Sequence, residues 1–276
     1  MSVTVQIRQK SLFRNKLSAK QIVKLSGLSC GVYDKDNCLQ PDELDRHGFV
    51  LYDAQKPARG IEVALEGTQI FLHINLPSTV AEINNFYDLV DKICGAVETE
   101  SCTLDDQRVT AADRERLCAE AVQTSLDYLQ LIRDELQYEP HVFKIFGACH
   151  PLALGYAEMD RIGGTLEGLE AFLTSIQSTG AEFAAPRFFR VEEDELIGVY
   201  NIEPDTLTIV PTEPYLMLND STEVTRWYLL VEDHMVAYED FIRLAGPKTY
   251  FDVIHVMVTM TQDEIDALVR AYAVRL

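Results

Sequence analysis

The spacing of hydrophobic residues changes period twice along the 276-residue chain, and this change constrains the fold class most. Up to Pro77, apolar and polar residues tend to alternate, as in Ile61–Leu65 and Gln69–Leu76, which is the period of a half-buried strand. Apolar residues then recur every three to four positions, which is the helical period, until the period of two returns after Gly180. Runs of strands followed by helices predict an α+β fold of mostly antiparallel meanders packed with amphipathic helices.

The first third of the chain predicts a meander followed by a helix. A strand over residues 2–7 precedes a short helix that begins after Ser18 and ends at Gly27, and a polar loop is expected from there to about Gly48. Thr79-Val80-Ala81-Glu82 has the spacing of a capping box and predicts the start of a longer helix. The apolar face of this helix includes Cys94, which indicates an inert core thiol.

Two further helices are predicted in the middle of the chain. Thr110 is the expected N-cap of a long helix, whose packed stripe consists of Cys118, Val122, Ser125, Leu129, Ile132 and Leu136. Residues 140–164 contain several glycines and prolines, and they predict a strand at His141–Phe146 followed by either a loop or a broken helix. Thr165 caps the next amphipathic helix.

The last third predicts a second meander and a terminal helix. Its expected strands are 186–191, 195–202 and 206–210 in one meander, then 225–231 and a long apolar strand at Tyr250–Met260. Thr261-Gln262-Asp263-Glu264 repeats the capping-box spacing, and residues 72–83 match residues 254–265 in His, Thr, Glu and Ile at a constant offset. This match suggests a duplicated strand–cap–helix unit. We therefore divide the chain into an N-terminal α+β unit (1–105), a helical bridging segment (106–182) and a C-terminal α+β unit (183–276).

Charge and cysteine usage exclude several classes of function. The net charge is −20, and residues 1–60 are net positive while the rest is strongly negative, so we expect no nucleic-acid partner. No apolar stretch reaches the length of a membrane span, and the N-terminus lacks the apolar segment of a signal peptide, so we expect no membrane partner. Six cysteines without CxxC spacing favour reduced thiols and a cytoplasmic location.

Two strings of residues resemble known sites but lack the context that their chemistry requires. Gly27-Leu28-Ser29-Cys30-Gly31 matches the G-x-S-x-G pattern of esterases, which needs a strand before it and a helix after it. A helix is expected before it, so we interpret Gly27 as a helix C-cap and Gly31 as a turn. Residues 34–45 follow part of a calcium-loop register, but Leu39 replaces the required glycine and Asp45 replaces the bidentate glutamate, which indicates a polar Asp-rich turn.

The remaining polar candidates are scattered along the chain. Cys149-His150 are adjacent and expected to point apart, and Cys30, Cys38 and His47 match no structural zinc spacing. His73 and His255 alternate with apolar residues on strands, which is typical of hydrogen-bonded histidines. Gly163-Gly164-Thr165 predicts a helix cap, and Glu192–Glu195 predicts a solvated hairpin tip. We assign no catalytic, cofactor-binding or metal-binding residue.

The strand Ser2-Val3-Thr4-Val5-Gln6-Ile7, the following Ser11-Leu12-Phe13 and the acidic α+β remainder resemble an uncharacterised bacterial family of similar length, which implies no activity. We therefore expect a cytoplasmic binding or interaction protein that recognises a protein or small molecule. The alternative is an enzyme whose site lies in a cleft between the two α+β units and uses His73, His150 or His255. A self-assembling protein that pairs strand edges into a homo-oligomer is a third possibility.

Overall fold

The computed structural model describes residues 1–9, 16–34, 38–138, 141–192, 195–215, 224–231, 233–246 and 248–274. These residues form an α+β fold of mostly antiparallel sheets, as the hydrophobic periods predict. The chain divides into two compact units, Met1–Thr179 (unit 1) and Gly180–Leu276 (unit 2). The finer division into three segments stays a prediction.

An antiparallel eight-stranded sheet forms the centre of unit 1. The polar loop expected before Gly48 is wrong in part, because residues 29–33 and 39–41 are strands of this sheet. The strand order is β3-β2-β4-β5-β6-β1-β7-β8, and β9 and β10 form a separate hairpin. The strands are β1 (Ser2–Arg8), β2 (Ser29–Tyr33), β3 (Leu39–Pro41), β4 (Gly48–Tyr52), β5 (Ile61–Glu66), β6 (Gln69–Asn75), β7 (Ser101–Leu104), β8 (Gln107–Thr110), β9 (Phe143–Phe146) and β10 (Pro151–Leu154).

Helices bury one face of the eight-stranded sheet. Alternate residues of the central strands, such as Val63, Leu72 and Ile74, are almost fully buried in one hydrophobic cluster with residues of the helices, such as Ile22 and Phe86. The helices of unit 1 are α1 (Ala19–Ser26), α2 (Val80–Ala96), α3 (Arg114–Tyr138), α4 (Tyr156–Ile162) and α5 (Leu166–Gln177). The Thr110 cap is confirmed, although it opens a single 3-10 turn, Ala111–Asp113, from which α3 continues.

The region that the sequence left as a loop or a broken helix is regular. Its residues form the hairpin partner β10 and then α4, which ends at Gly163 in the left-handed conformation. Thr165 caps α5 by accepting a hydrogen bond from the amide of Gly168 at 3.0 Å, as predicted. The apolar pieces are short because each belongs to a separate element.

Unit 2 contains two sheets where the sequence predicted one meander. The strands are β11 (Glu182–Phe183), β12 (Arg187–Glu192), β13 (Glu195–Asn201), β14 (Thr208–Pro211), β15 (Arg226–Val231), β16 (His234–Ala237), β17 (Thr249–Tyr250), β18 (His255–Val258) and β19 (Ala273–Val274). β12 and β13 pair antiparallel as expected, but the next strand, β14, joins another sheet, and β15 is the parallel neighbour of β13. The sheet orders are β11-β14-β18-β17 and β12-β13-β15-β16-β19.

The helices of unit 2 are α6 (Tyr238–Leu244) and α7 (Gln262–Tyr272) within the described ranges. The predicted long strand at Tyr250–Met260 is wrong in its first half, because residues 251–254 form a turn. The Asp252 carboxylate accepts hydrogen bonds from the amides of Ile254 and His255 at 2.9 and 2.8 Å and makes a turn between β17 and β18. An apolar run therefore conceals a tight turn, because a buried Asp can satisfy the turning backbone locally.

The two Thr-x-x-Glu segments, at residues 79–82 and 261–264, both begin a helix, but their glutamates accept hydrogen bonds from different groups. Thr79 and Thr261 each accept a hydrogen bond from the amide three residues on, and each precedes a helix that follows a strand. Glu264 also accepts from the Thr261 amide at 2.8 Å, which completes the predicted capping box. Glu82 does not reach back to Thr79, and its carboxylate instead takes donors from other parts of unit 1. The duplication itself stays a prediction.

Candidate functional site

A cavity of about 250 Å³ lies in unit 1 between the C-terminal half of α2, the start of α3 and the strands β1, β7 and β8. Hydrophobic side chains form most of its wall. The main apolar contributors are Val5, Val90, Leu104, Val109 and Leu117. Four of these five residues are buried, so the cavity is an indentation of the hydrophobic core rather than a shallow surface groove.

Charged side chains also contribute to the cavity wall. The Arg114 Nη1 donates to Asp91 Oδ2 at 3.0 Å, and the same guanidinium pairs with Asp88. The Arg114 side chain is 38% exposed, and the side chain of Asp91 is 33% exposed. Since Arg114 and Asp91 both line the cavity, the apolar interior has a partly solvated ion pair beside it.

Two thiols line the same cavity. Cys94 lies near the end of α2 and is half-buried, and Cys102 lies on β7 and is 8% exposed. Between them the chain reverses, with the Thr99 amide donating to the Cys94 carbonyl at 3.0 Å. The interaction between the two thiols is the main cause that raises the pKa of Cys94 and lowers the pKa of Cys102. By contrast, burial is the main cause that raises the pKa values of Cys30, Cys118 and Cys149.

The opposite end of α2 holds a buried carboxylate. Glu82 is 7% exposed, and its oxygens accept from the Arg59 amide at 3.1 Å, from the Gly60 amide at 2.6 Å and from the Ser78 hydroxyl. Burial raises the pKa of Glu82, although these hydrogen bonds and the charge of Arg59 act against the rise. Ser78 also donates its amide to the Ser125 hydroxyl of α3 at 3.2 Å, so the start of α2 is joined to α3.

Arg59 extends this polar network to the loop after β9. Its Nε donates to the Phe146 carbonyl at 3.0 Å, and the Tyr33 hydroxyl donates to the Ala148 carbonyl at 3.1 Å. Burial lowers the pKa of Arg59 to about 10, which still leaves the guanidinium charged at neutral pH. These hydrogen bonds join the segments around Tyr33, Arg59 and Phe146. Among the described residues, every buried side-chain polar atom has a hydrogen-bond partner.

The two candidate histidines of unit 1 have structural partners. His73 Nδ1 lies 2.8 Å from the Thr4 hydroxyl on the neighbouring strand. His150 Nε2 lies 3.1 Å from the Thr179 carbonyl, and burial lowers the pKa of His150, so Nε2 carries the proton and donates. The amides of Cys149 and His150 both donate to Gln177 Oε1 at 2.8 Å. The pair Cys149-His150 is therefore part of a loop held by Gln177.

His255 of unit 2 lies in a buried hydrogen-bonded chain. Its Nδ1 donates to Asp252 Oδ2 at 2.8 Å, and its Nε2 lies 2.7 Å from the Tyr215 hydroxyl. The order carboxylate–imidazole–hydroxyl is that of a catalytic triad. However, His255 is 1% exposed and enclosed by the rings of Phe183 and Phe251, and burial raises the pKa of Tyr215. The hydroxyl therefore keeps its proton and holds the turn after β17.

The esterase-like and calcium-like strings have structural roles. Gly27 is the left-handed C-cap of α1, as predicted, but Gly31 is not a turn. It lies within β2, where a Cβ would come within 2.8 Å of the Gln40 carbonyl oxygen on β3. Asp34 Oδ1 accepts from the Cys38 amide at 2.9 Å beside the strands β2 and β3, while residues 35–37 lie outside the described residues. Residues 193 and 194 of the predicted acidic tip also lie outside them.

Sequence reasoning missed the cavity because it missed the hairpin β7–β8. Asp105 and Asp106 form the two-residue loop of this hairpin, with φ of 42° and 70°. Two consecutive residues with positive φ are typical of a type I′ turn, which favours Asp, Asn and Gly. The Asp-Asp pair was therefore the available signal for these strands and for the cavity that they line.

Two further searches concern the described residues only. Within these ranges, no group of three or more His, Cys, Asp or Glu side chains is arranged to hold a metal ion. Likewise, none of the helices described has the length and apolar character needed to cross a membrane.

The architecture defines an α+β protein with an apolar cavity in its larger unit. The chain belongs to the protein family described as a domain of unknown function, DUF4299, whose model matches residues 2–268. No curated protein matches the chain, and no solved structure matches it. Membership of an uncharacterised family agrees with the resemblance drawn from the sequence.

Proposed function

We propose that this protein is a binding protein, not an enzyme, and that it takes a small apolar ligand into the cavity of unit 1. The observation that carries the proposal is a cavity of about 250 Å³ with a mainly hydrophobic wall. Core packing normally leaves few voids larger than a water molecule, so a space of this size is costly unless something fills it. The polar groups beside it are paired with one another rather than arranged around a reacting centre.

The size of the cavity limits the ligand. An apolar cavity of about 150 Å³ accepts benzene, while drug-sized ligands occupy about 300–1,000 Å³. The cavity in unit 1 therefore suits a single aromatic or aliphatic ring with a short substituent. Because Asp91 and Arg114 also line it, a ligand with one polar group can place that group beside the ion pair.

Benzene and indole are suitable probes for this proposal. Titration of the ¹⁵N-labelled protein with either probe should give saturable shifts for the amides of Val90, Cys102 and Val109, which line the cavity. At a concentration about ten times the dissociation constant, a probe that binds only the folded state stabilises it by about 1.4 kcal/mol, which corresponds to a rise in Tm of about 3–6 °C.

Two variants, each with one valine of α2 replaced by phenylalanine, form a matched pair. Val90→Phe places a ring in the cavity, whereas Val80→Phe adds the same ring at a position that is 38% exposed, outside the cavity lining. We expect Val90→Phe to abolish the binding of both probes and Val80→Phe to retain it. Unchanged wild-type spectra in the presence of both probes, or equal binding by the two variants, would show that the cavity is not a ligand site.

We also propose that the protein acts in the cytoplasm of a bacterium, without nucleic-acid or membrane partners. The six cysteines are free thiols, which supports a reducing compartment, and the net charge of −20 disfavours contact with phosphate backbones and anionic lipids. Immunoblotting of fractionated cells tests this location. Recovery of the protein in the membrane fraction or outside the cell would contradict it.

A further inference from the structure

We propose that the ligand of the cavity in unit 1 is an apolar amine, whose protonated ammonium group pairs with the carboxylate of Glu100. This assignment rests on the proposed function, since it names the polar group that a ligand of that cavity carries. The charged residues of the cavity wall are Asp91, Glu100 and Arg114. They differ in whether the protein itself already supplies a partner for their charge.

The positive charge of the wall is taken up within unit 1. The Arg114 guanidinium donates to Asp91 at 3.0 Å and also pairs with Asp88, so two carboxylates share one cation. A ligand carboxylate would compete with both of them for Arg114 and would also be repelled by their negative charges. The wall therefore disfavours an anionic ligand.

The threonine hydroxyls of the wall are engaged as well. Thr99 Oγ1 donates to the Ser101 carbonyl at 3.0 Å, and Thr110 Oγ1 donates to the Asp113 carboxylate at 3.1 Å. An anion is bound through hydrogen-bond donors, and either hydroxyl could donate to it only by giving up a bond within the fold. These hydroxyls therefore do not offset the repulsion of an anion.

Glu100 is the exception among the charged residues of the wall. It lies between α2 and β7, it is exposed, and within the described part of the chain its carboxylate forms no hydrogen bond or ion pair. On the neighbouring strand β8, Arg108 Nε donates instead to Ser101 Oγ at 2.9 Å, and Arg108 does not line the cavity. Glu100 thus offers a negative charge to a ligand without first losing a partner.

The position of Glu100 suits an amphipathic cation. Val90 and Leu117 of the wall are buried, whereas Glu100 is exposed to solvent. A ligand can therefore bury its ring or alkyl chain against the apolar wall and keep its ammonium group partly hydrated beside Glu100. Long cationic side chains divide themselves between apolar surface and water in the same way.

Three benzene derivatives of similar size and different charge test the assignment, with amide shifts of Val90 and Val109 as the readout at neutral pH. They are benzylamine, which is a cation, benzyl alcohol, which is neutral, and benzoate, which is an anion. We expect benzylamine to bind about 2- to 5-fold more tightly than benzyl alcohol, as for a partly exposed ion pair, and at least about 10-fold more tightly than benzoate.

The result separates this assignment from the proposed function. Binding of benzyl alcohol or benzoate as tight as that of benzylamine would overturn the assignment and leave a ligand-binding cavity in place. Absence of binding by all three probes would overturn both.

Two glutamine variants locate the preference. Glu100→Gln keeps the size of the side chain and removes its charge, so benzylamine should bind about 2- to 5-fold more weakly than to the wild type while benzyl alcohol is unaffected. Glu115→Gln is the matched control, because Glu115 is also exposed and lies in the first turn of α3, outside the cavity lining. It should keep the wild-type preference. An equal loss in both variants would trace the preference to the net charge of the protein and overturn the assignment to Glu100.

Discussion

The two ends of α2 use polar residues in opposite ways. At the N-terminal end, Glu82 is buried and its carboxylate accepts from the nearby Ser78 hydroxyl and from the amides of Arg59 and Gly60 in another segment of unit 1. At the C-terminal end, Cys94 and Asp91 line a space that protein atoms do not fill. The polar groups at the N-terminal end are hydrogen-bonded within the fold, whereas the C-terminal end borders a cavity that a ligand can occupy.

This difference distinguishes polar groups that serve the fold from polar groups that are available to a ligand. A buried carboxylate with several donors is a conspicuous group, and an active site is one common reason for it. Here its donors are two backbone amides and a hydroxyl, so the carboxylate is satisfied within the fold. The apolar cavity, whose residues are individually ordinary, is the better candidate for function.

The largest expected effect is at the N-terminal end of α2, where Glu82 is buried. Glu82→Ala leaves the buried amides of Arg59 and Gly60 and the hydroxyl of Ser78 without their acceptor, so we expect a loss of about 3–5 kcal/mol in the free energy of unfolding. Urea unfolding followed by far-UV circular dichroism measures it. Glu264→Ala is the control, because Glu264 occupies the same position in its Thr-x-x-Glu segment but is exposed.

The two variants distinguish burial from capping. We expect Glu264→Ala to shift the urea midpoint far less than Glu82→Ala, since it loses only the exposed hydrogen bonds from the amide and the hydroxyl of Thr261. If both variants gave the same small shift, the contrast between the ends of α2 would fail, because Glu82 would then act only as a helix cap.

The pH dependence of stability gives the second prediction. Burial raises the pKa of Glu82 in the folded state, so as pH rises above about 4.3 the unfolded chain releases this proton before the folded chain does. The contribution of Glu82 to stability is therefore complete at low pH and is lost as pH rises through its raised pKa. Glu82→Gln keeps the shape and cannot ionise, and its stability should not show this loss.

Urea midpoints of the wild type and Glu82→Gln between about pH 4 and about pH 8 test this sign. The wild type should lose stability relative to the variant as pH rises across the lower part of this range. A wild type that instead gained stability relative to Glu82→Gln would mean that the surrounding donors outweigh burial and lower the pKa.

The fold could be predicted from the sequence where an element carries its own signal. The hairpin β5–β6, the caps Ser18 and Thr165 and the helix α7 all agree with local spacing. The errors occur where an element depends on distant partners. The strand β14 has the period of a meander but pairs with β18, and the polar stretch of β2 and β3 becomes regular only beside β4.

The candidate site was less predictable for the same reason. Cys94 was placed correctly on the apolar face of a helix, but the opposite wall of the cavity comes from β7 and β8, which the spacing of residues did not predict. Glu82 was interpreted through its neighbour Thr79, whereas its actual donors, the amides of Arg59 and Gly60, lie more than twenty residues away. Local spacing predicts a cap well and does not predict a cavity or a buried network.

The smallest expected effect is at the open end of α2, beside the cavity. Arg114 pairs with Asp88 and Asp91, but all three side chains are about a third or more exposed. Exposed pairs contribute about 0.2–1 kcal/mol and are screened by salt, so Arg114→Ala should lower the free energy of unfolding by no more than about 1 kcal/mol at low ionic strength.

In about 1 M NaCl, where the Debye length is about 3 Å, this loss should shrink toward zero. The loss in Glu82→Ala should remain, because salt does not screen the buried hydrogen bonds that this variant lacks. Urea midpoints of the two variants at both salt concentrations measure the contrast. An Arg114→Ala loss above about 2 kcal/mol that salt leaves unchanged would show that the Arg114 ion pairs are shielded from solvent, as Glu82 is.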